Sequence, residues 1–432
     1  MNPKNSTRRA GDLDTTFGTD GEVSLSILPT YIGTDRLLQG VLILPDNKIL
    51  VGLGVSINPL IGFGAPPSYG LARLSPDGIL DKDFGVDGVI TDNFRPKESS
   101  KGGRLLRLED GRLFMLGSVG INEGGTSIPH LAMACYTEDY KLDTTFGGEG
   151  TGHLVIENSS TEIYMSRYAN VTQQADGKLL ICTEYHEWGN AYKTTGILYR
   201  LHTNGTLDTT FNGNGRLEIK GQDPDAATGL KACLAQAGGK IVVVGHICFQ
   251  PGLGTAVIAR FHNDGTLDKT FGRRNSPGYH TVPVGGLWTQ FNNLLSTPRG
   301  FVATGKAGED EPGTVSQGMM VGITKEGLED LDFNDGKPLI TKYTSETETS
   351  WSDGYMQPDG KLVLSSAGRP FLSRWLSNGS PDTEFGTDGA VLIRDTGVRS
   401  AFVVSRPDSK ILWAANVGGI GGSIGSLRRY LG

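Results

Sequence analysis

Side chains able to stack on a sugar ring or anchor a protein partner gather in segments of this 432-residue chain that read as loops. Tyr185, His186, Trp188 and Tyr192 fall in one such segment, Trp288 and Phe291 in a second, and Trp351 in a third. Large amphipathic rings exposed in loops suit glycan stacking or protein anchoring. The competing assignment, that they fold beneath their own loops, is equally open. These seven are the candidate ligand-binding residues. Trp375 and Trp413 lie in apolar runs and are expected in the core.

Carboxylates collect in the same kind of segment, as Asp223 with Asp225, Glu309 to Glu311, and Glu346 with Glu348. A glycosidase needs two carboxylates about 5 to 10 Å apart, whereas loop acids are ordinarily solvated charge. No nucleophile elbow, paired-His zinc motif or phosphate loop occurs. No catalytic residue is therefore assigned. His202 and His262 stand at equivalent places before Asn204-Gly205 and Asp264-Gly265, which marks them as part of a repeat.

That repeat organises the chain. Leu13-Asp14-Thr15-Thr16-Phe17-Gly18 returns in variant form around Phe84, Phe146, Phe211, Phe271, Phe333 and Phe385, at separations of 52 to 67 residues. A period of this size means a solenoid, propeller or array. Within a period, apolar runs of four to seven residues are bounded by Gly, Asp, Asn and Pro, as in Leu113-Phe114-Met115-Leu116-Gly117 after Asp110-Gly111. Such runs are too short for helices and read as strands joined by hairpins. The expected fold is all-β: a seven-bladed β-propeller of four-stranded antiparallel blades. Ser426 to Leu431 matches the strand before each signature, so closure is expected by pairing this C-terminal strand region with the N-terminal segment. Residues 1–12 form a polar lead and 13–432 a single propeller domain.

Segments such as Asp77-Gly78-Ile79-Leu80-Asp81-Lys82-Asp83-Phe84-Gly85 and Asp264-Gly265-Thr266-Leu267-Asp268-Lys269-Thr270-Phe271-Gly272, with partners like Gln357-Pro358-Asp359-Gly360-Lys361-Leu362, resemble the bacterial delta-60 repeat. The resemblance implies a β-propeller-like fold and carries no particular activity. Two copies depart from it. The sixth has Glu326 and Glu329 where Asp and Leu are usual, and the fifth runs Arg273-Arg274-Asn275-Ser276-Pro277 after its Phe.

The repeated aspartates Asp14, Asp81, Asp143, Asp208, Asp268, Asp330 and Asp382 lie near Asp/Asn-Gly turns that could supply oxygen ligands to calcium. Their spacing is not that of a calcium loop. A structural role, each Asp accepting from amides of its own turn while Phe wedges between blades, accounts for them with less. No cofactor is expected, with Ca2+ in these turns as the alternative.

A net charge of −7 argues against nucleic acid as a partner. No apolar run approaches a membrane span of about 20 residues, and no signal-peptide pattern precedes the first repeat. The expectation is a cytoplasmic protein, or one released without such a signal, and a monomer. Cys135, Cys182, Cys233 and Cys248 lack metal or disulfide spacing and read as buried apolar residues. An antiparallel meander puts the short Asp-Gly hairpins and signature turns at one end and the long, dissimilar connections at the other. Variable loops on a rigid frame are where function sits. The expected function is noncatalytic recognition of a protein partner or glycan on the long-connection face, and the alternative is a propeller hydrolase or lyase with a carboxylate site at the channel mouth.

Overall fold

The computed structural model describes residues 8–432 apart from 30–31, 58–65, 159–161, 165–168, 188–189, 222–225, 249–253, 309–315, 342–348, 394–397, 399–400 and 420–421. The described chain is all-β, its only helical pieces being the short 3-10 turns Leu25–Ile27 and Asn334–Gly336. None of its helices is long and apolar enough to cross a membrane.

The expected closed ring of seven separate four-stranded blades is corrected by the strand pairing. Among the described residues there are six sheets, one of eight strands, two of five and three of four, and none closes on itself. The eight-stranded sheet joins Ile32–Ile43, Ile49–Ile57, Ser68–Leu74 and Val89–Asp92 to Ala401–Ser405, Ile411–Gly419 and Gly422–Tyr430. Its seam is a parallel bridge between Arg36 and Ile424. Asn416 reinforces it: its side-chain oxygen accepts from the Leu38 amide at 2.8 Å and its nitrogen donates to the Leu38 carbonyl at 2.7 Å. Strands counted from the repeat as two units thus share one sheet. The five-stranded sheets arise because their first strand is broken, into Ser99–Lys101 and Leu105–Arg107 in one and Glu162–Tyr164 and Asn170–Gln173 in the other.

The strand after a signature pairs with the strand before it, as Val89–Asp92 does with Ser68–Leu74. The tight Asp-x-x-Phe-Gly turn permits nothing else, because the chain reverses within it and antiparallel pairing is the short-range solution. The same rule brings the chain ends together, with Glu22–Ser24 antiparallel to Ser426–Arg428 and Leu13 bridged to Tyr430.

Seven apolar clusters fill the spaces of the assembly, and each holds one signature phenylalanine: Phe17, Phe84, Phe146, Phe211, Phe271, Phe333 or Phe385, all at most 3% exposed. Above five of these rings lies an arginine from the strand before the signature, Arg429, Arg73, Arg200, Arg260 or Arg374, with its guanidinium carbon 4.5 to 4.9 Å from the ring centre. The arginine also reaches the signature aspartate, as Arg260 Nε does Asp268 at 2.7 Å. In Asp14, Asp143, Asp208, Asp268, Asp330 and Asp382 one carboxylate oxygen accepts the amide two residues on. The carboxylates are thus occupied by their own turns and by cations. The four cysteines are free and buried, and Trp375 and Trp413 are core residues.

Candidate functional site

Four first strands carry a β-bulge at the same place, and the extra residue is polar each time: Gln39, Lys231, Asn292 and Ser352. A bulge leaves one residue out of the ladder and re-aims its side chain. Asn292 donates to Ser350 Oγ and the Trp351 carbonyl of the next sheet, and Ser352 to the Ala401 carbonyl. Lys231 differs. It reaches back to the 162–219 sheet, where its Nζ lies 2.7 Å from both oxygens of Glu184. Both side chains are at most 5% exposed.

Around that ion pair the same strand and three further ones bring polar groups. Glu184 and His186 alternate along Leu179–Glu187, with His186 Nε2 3.6 Å from Glu184 Oε1. His246 projects from Ile241–Cys248, and Lys306 from Gly300–Gly308 lies within its electrostatic reach. Trp288 opens Trp288–Ser296 and is half-buried, its ring centre 5.2 Å from that of His246. Two glycines make room. A Cβ on Gly229 would fall 2.1 Å from His246 Cε1 and 2.7 Å from Glu184 Oε2, and one on Gly254 would fall 2.6 Å from the indole of Trp288.

The electrostatics follow from burial. Burial pushes the Glu184 carboxyl up, but the Lys231 ammonium and the His186 and His246 rings outweigh it and hold the group down at about 2. Burial and then the same ammonium push the His246 imidazole down to about 3. His246 is therefore neutral at pH 7, and its buried Nδ1 has no hydrogen-bond partner among the described residues. The cluster is a fixed ion pair flanked by a neutral imidazole with an unused nitrogen, beside an indole that is partly open to solvent.

Of the seven candidate residues, the structure brings together His186 and Trp288. Tyr185 is buried with its hydroxyl 3.1 Å from that of Tyr199, and Phe291 and Trp351 are wholly buried in the core. These residues sit in strands rather than loops, because the sheets run further toward the long-connection end than the apolar runs suggest. Trp188 and the side chain of Tyr192 lie outside the described residues, as do Asp223, Asp225, Glu309 to Glu311, Glu346 and Glu348. Glu184, Lys231 and His246 were not among the candidates. Their signal was a charged or ionisable residue inside an otherwise apolar strand run, Gly229-Leu230-Lys231-Ala232-Cys233 and Val243-Val244-Gly245-His246-Ile247. No group of three or more metal-ligating side chains is found among the described residues.

Residues 174–211 and 236–271 match the family described as a domain of unknown function, DUF5122, β-propeller. Each match runs from a hairpin glutamine to a signature phenylalanine. These two segments are similar to that β-propeller family. No curated protein matches the sequence. Among solved structures, polysaccharide lyase Uly1 is similar with a TM-score of 0.52 at 10% identity, over 91% of this chain and 90% of that one. The Penicillium chrysogenum α-L-arabinanase, complexed with arabinobiose, has a TM-score of 0.50 at 11% identity, over 93% and 94%. The GH93 α-L-arabinofuranosidase of Fusarium graminearum, also with arabinobiose, has 0.50 at 10%, over 95% and 97%. At such identities the likeness is one of fold, an all-β propeller-like arrangement.

Proposed function

We propose that the protein is a carbohydrate-active propeller built from delta-60-type repeats, with sugar contacted at the edge formed by Trp288, His246 and His186. The observation that carries this reading is the half-buried indole set against a neutral imidazole whose Nδ1 has no partner. An indole offers a stacking face to a pyranose ring, and a neutral imidazole exchanges hydrogen bonds with hydroxyls without demanding charge. Propellers of similar fold whose names describe a polysaccharide lyase, an arabinanase and an arabinofuranosidase support the substrate class.

Elimination suits this donor set better than paired-carboxylate hydrolysis. Hydrolysis asks for an acid and a base among two carboxyl groups. Among the described residues the cluster offers Glu184 alone, held by Lys231 through both oxygens and ionised at neutral pH. Elimination from an acidic sugar asks for a base to take the proton beside the sugar carboxylate and for positive charge nearby to stabilise the resulting carbanion; the glycosidic C–O bond then breaks as the double bond forms, and its oxygen leaves as a hydroxyl on taking up the proton the base received. His186, which is partly exposed, serves as the base, because the depressed His246 is too weak a one, and Lys306 supplies the positive field.

The test incubates the protein with polygalacturonate, alginate and arabinan, following new reducing ends and the ultraviolet absorbance of an unsaturated sugar. The expected result is an unsaturated product from an acidic polysaccharide, with turnover falling at least about 100-fold in His186→Asn. Trp288→Ala should raise KM. Reducing ends without unsaturation would replace elimination by hydrolysis. Binding without any product would return this edge to recognition alone, and neither product nor binding would end the carbohydrate reading.

A further inference from the structure

The opposite end of the molecule, where the short hairpins lie, holds a cavity of 450 Å³. Leu44, Arg107, Gln357, Pro358, Arg406 and Pro407 are among its lining residues, so hairpin positions from both ends of the chain meet around it. Its size is that of a small-molecule pocket, and its walls are largely aliphatic and prolyl with a few polar groups.

Arg406 is the residue that the fold does not account for. At the same hairpin position other repeats carry Gln174, Gln236 and Gln357, or the apolar Leu44 and Leu108. A glutamine or a leucine therefore satisfies the hairpin, whose backbone bond from residue i to i+4 is kept in each case, as Arg406 N donates to the Lys410 carbonyl at 3.2 Å. The Arg406 side chain is only 2% exposed. Its one ion pair among the described residues is a long contact from Nε to Asp408 Oδ1 at 3.3 Å, and Asp408 is exposed. Its Nη1 is buried without a hydrogen-bond partner among the described residues, and so is Oε1 of Gln357 in the same wall. A guanidinium withdrawn from water and left short of acceptors is costly. That cost is recovered when an anion completes the pairing, because guanidinium and carboxylate match as planar two-point partners. Arg107, paired with the exposed Glu138 at 3.1 Å, adds a second cation at the same wall.

We propose that this cavity binds a small organic carboxylate, its charged group on Arg406 and its apolar body against Leu44, Pro358 and Pro407. The Gln357 carbonyl oxygen accepts a hydroxyl or amide donor of the ligand. The site is independent of the Trp288 edge and lies at the other end of the assembly.

Calorimetric titration of the full chain with benzoate and with its neutral isostere benzamide, and with glucuronate and glucose, tests the assignment. At least one carboxylate should bind, and its neutral counterpart should bind at least about 10-fold more weakly, a difference of 1.4 kcal/mol. Arg406→Gln installs the amide that three other hairpins already carry, so the variant should fold with an unchanged circular dichroism spectrum while losing at least about 10-fold in carboxylate affinity. Arg107→Gln serves as a second variant, with a smaller loss. Equal affinity of the wild type and Arg406→Gln, equal affinity for the acid and its neutral isostere, or no binding of either carboxylate would overturn the proposal.

Discussion

The signature turns and the Glu184 cluster use the same chemistry, a buried carboxylate held by a cation, to opposite effect. At the turns the arrangement recurs, and it survives local loss of its parts. Where the strand before the signature has Cys135 or Gly322 in place of arginine, the hairpin supplies arginine instead of lysine: Arg112 meets Asp143 and Arg299 meets Asp330, both at 2.8 Å. In the other repeats that hairpin residue is Lys48, Lys178, Lys240, Lys361 or Lys410, each 2.8 to 3.2 Å from its aspartate. The departures in the fifth and sixth copies also compensate one another, since Arg273 pairs with Glu329. Such redundancy is what a frame requires. The Glu184, Lys231 and His246 cluster occurs once, rests on a bulge, and leaves a buried nitrogen unused, which no packing need explains.

The contrast is sharpest in the cost of breaking each pair. Glu184→Ala removes both carboxylate contacts of the buried Lys231 ammonium, and urea unfolding should show a loss of about 3 to 5 kcal/mol. The double variant Glu184→Gln/Lys231→Met should recover most of it, because an apolar chain replaces the stranded charge. A single variant costing under about 1 kcal/mol would show that the pair is not the fixed element described here.

Within the frame, Arg299→Ala and Arg112→Ala remove the arginine that stands in for two cations and should each cost about 1 to 2 kcal/mol. Lys361→Ala leaves Arg374 on Asp382 at 2.6 Å and should cost under about 1 kcal/mol. Equal losses at all three positions would break the compensation argument.

Proton linkage separates the regions by pH. His246 is depressed from 6.5 to about 3 on folding, so the unfolded chain binds a proton that the native one refuses. Its contribution is present above pH 6.5 and is progressively lost as pH falls toward 3. The signature aspartates Asp14, Asp208, Asp268 and Asp382 are also depressed, burial being outweighed by their hydrogen bonds and cations, but their loss begins only below the ordinary carboxylate value of 3.8. Thermal midpoints should therefore fall between pH 7 and pH 5, and less steeply in His246→Gln. Half-buried His153 and buried His280, depressed in the same direction, should leave part of the slope in place. An unchanged slope in His246→Gln would place the titration elsewhere.

A further small effect belongs to a single turn. Thr210→Val removes the 2.6 Å hydroxyl bond to Asp208 while leaving Arg200 and Lys178 on that carboxylate. A loss of about 1 kcal/mol is expected in urea.

The turns were legible because their rule is local. Asp208, Thr210 and Phe211 act within a few residues of one another, so type and spacing suffice to read the Asx turn and the wedge. Sheet membership was less legible, since the bridge from Arg36 to Ile424 depends on how the two ends of the chain approach each other. The aromatic candidates divided for a related reason. Phe291 and Trp351 look like loop residues beside Trp288 in the sequence, but strand extension carries them into the core and leaves Trp288 at the edge.

What the sequence alone determined is the all-β class, the seven signatures and the role of their aspartates and phenylalanines, because these follow from period, strand length and turn chemistry over short distances. Only the tertiary structure decided which carboxylates stay free of the frame, which strands share a sheet, and that Glu184, Lys231, His246 and Trp288 meet. They come from three sheets, and Lys231 reaches Glu184 through one bulged residue. A bulge is an offset between two strands, and nothing in either strand by itself records it.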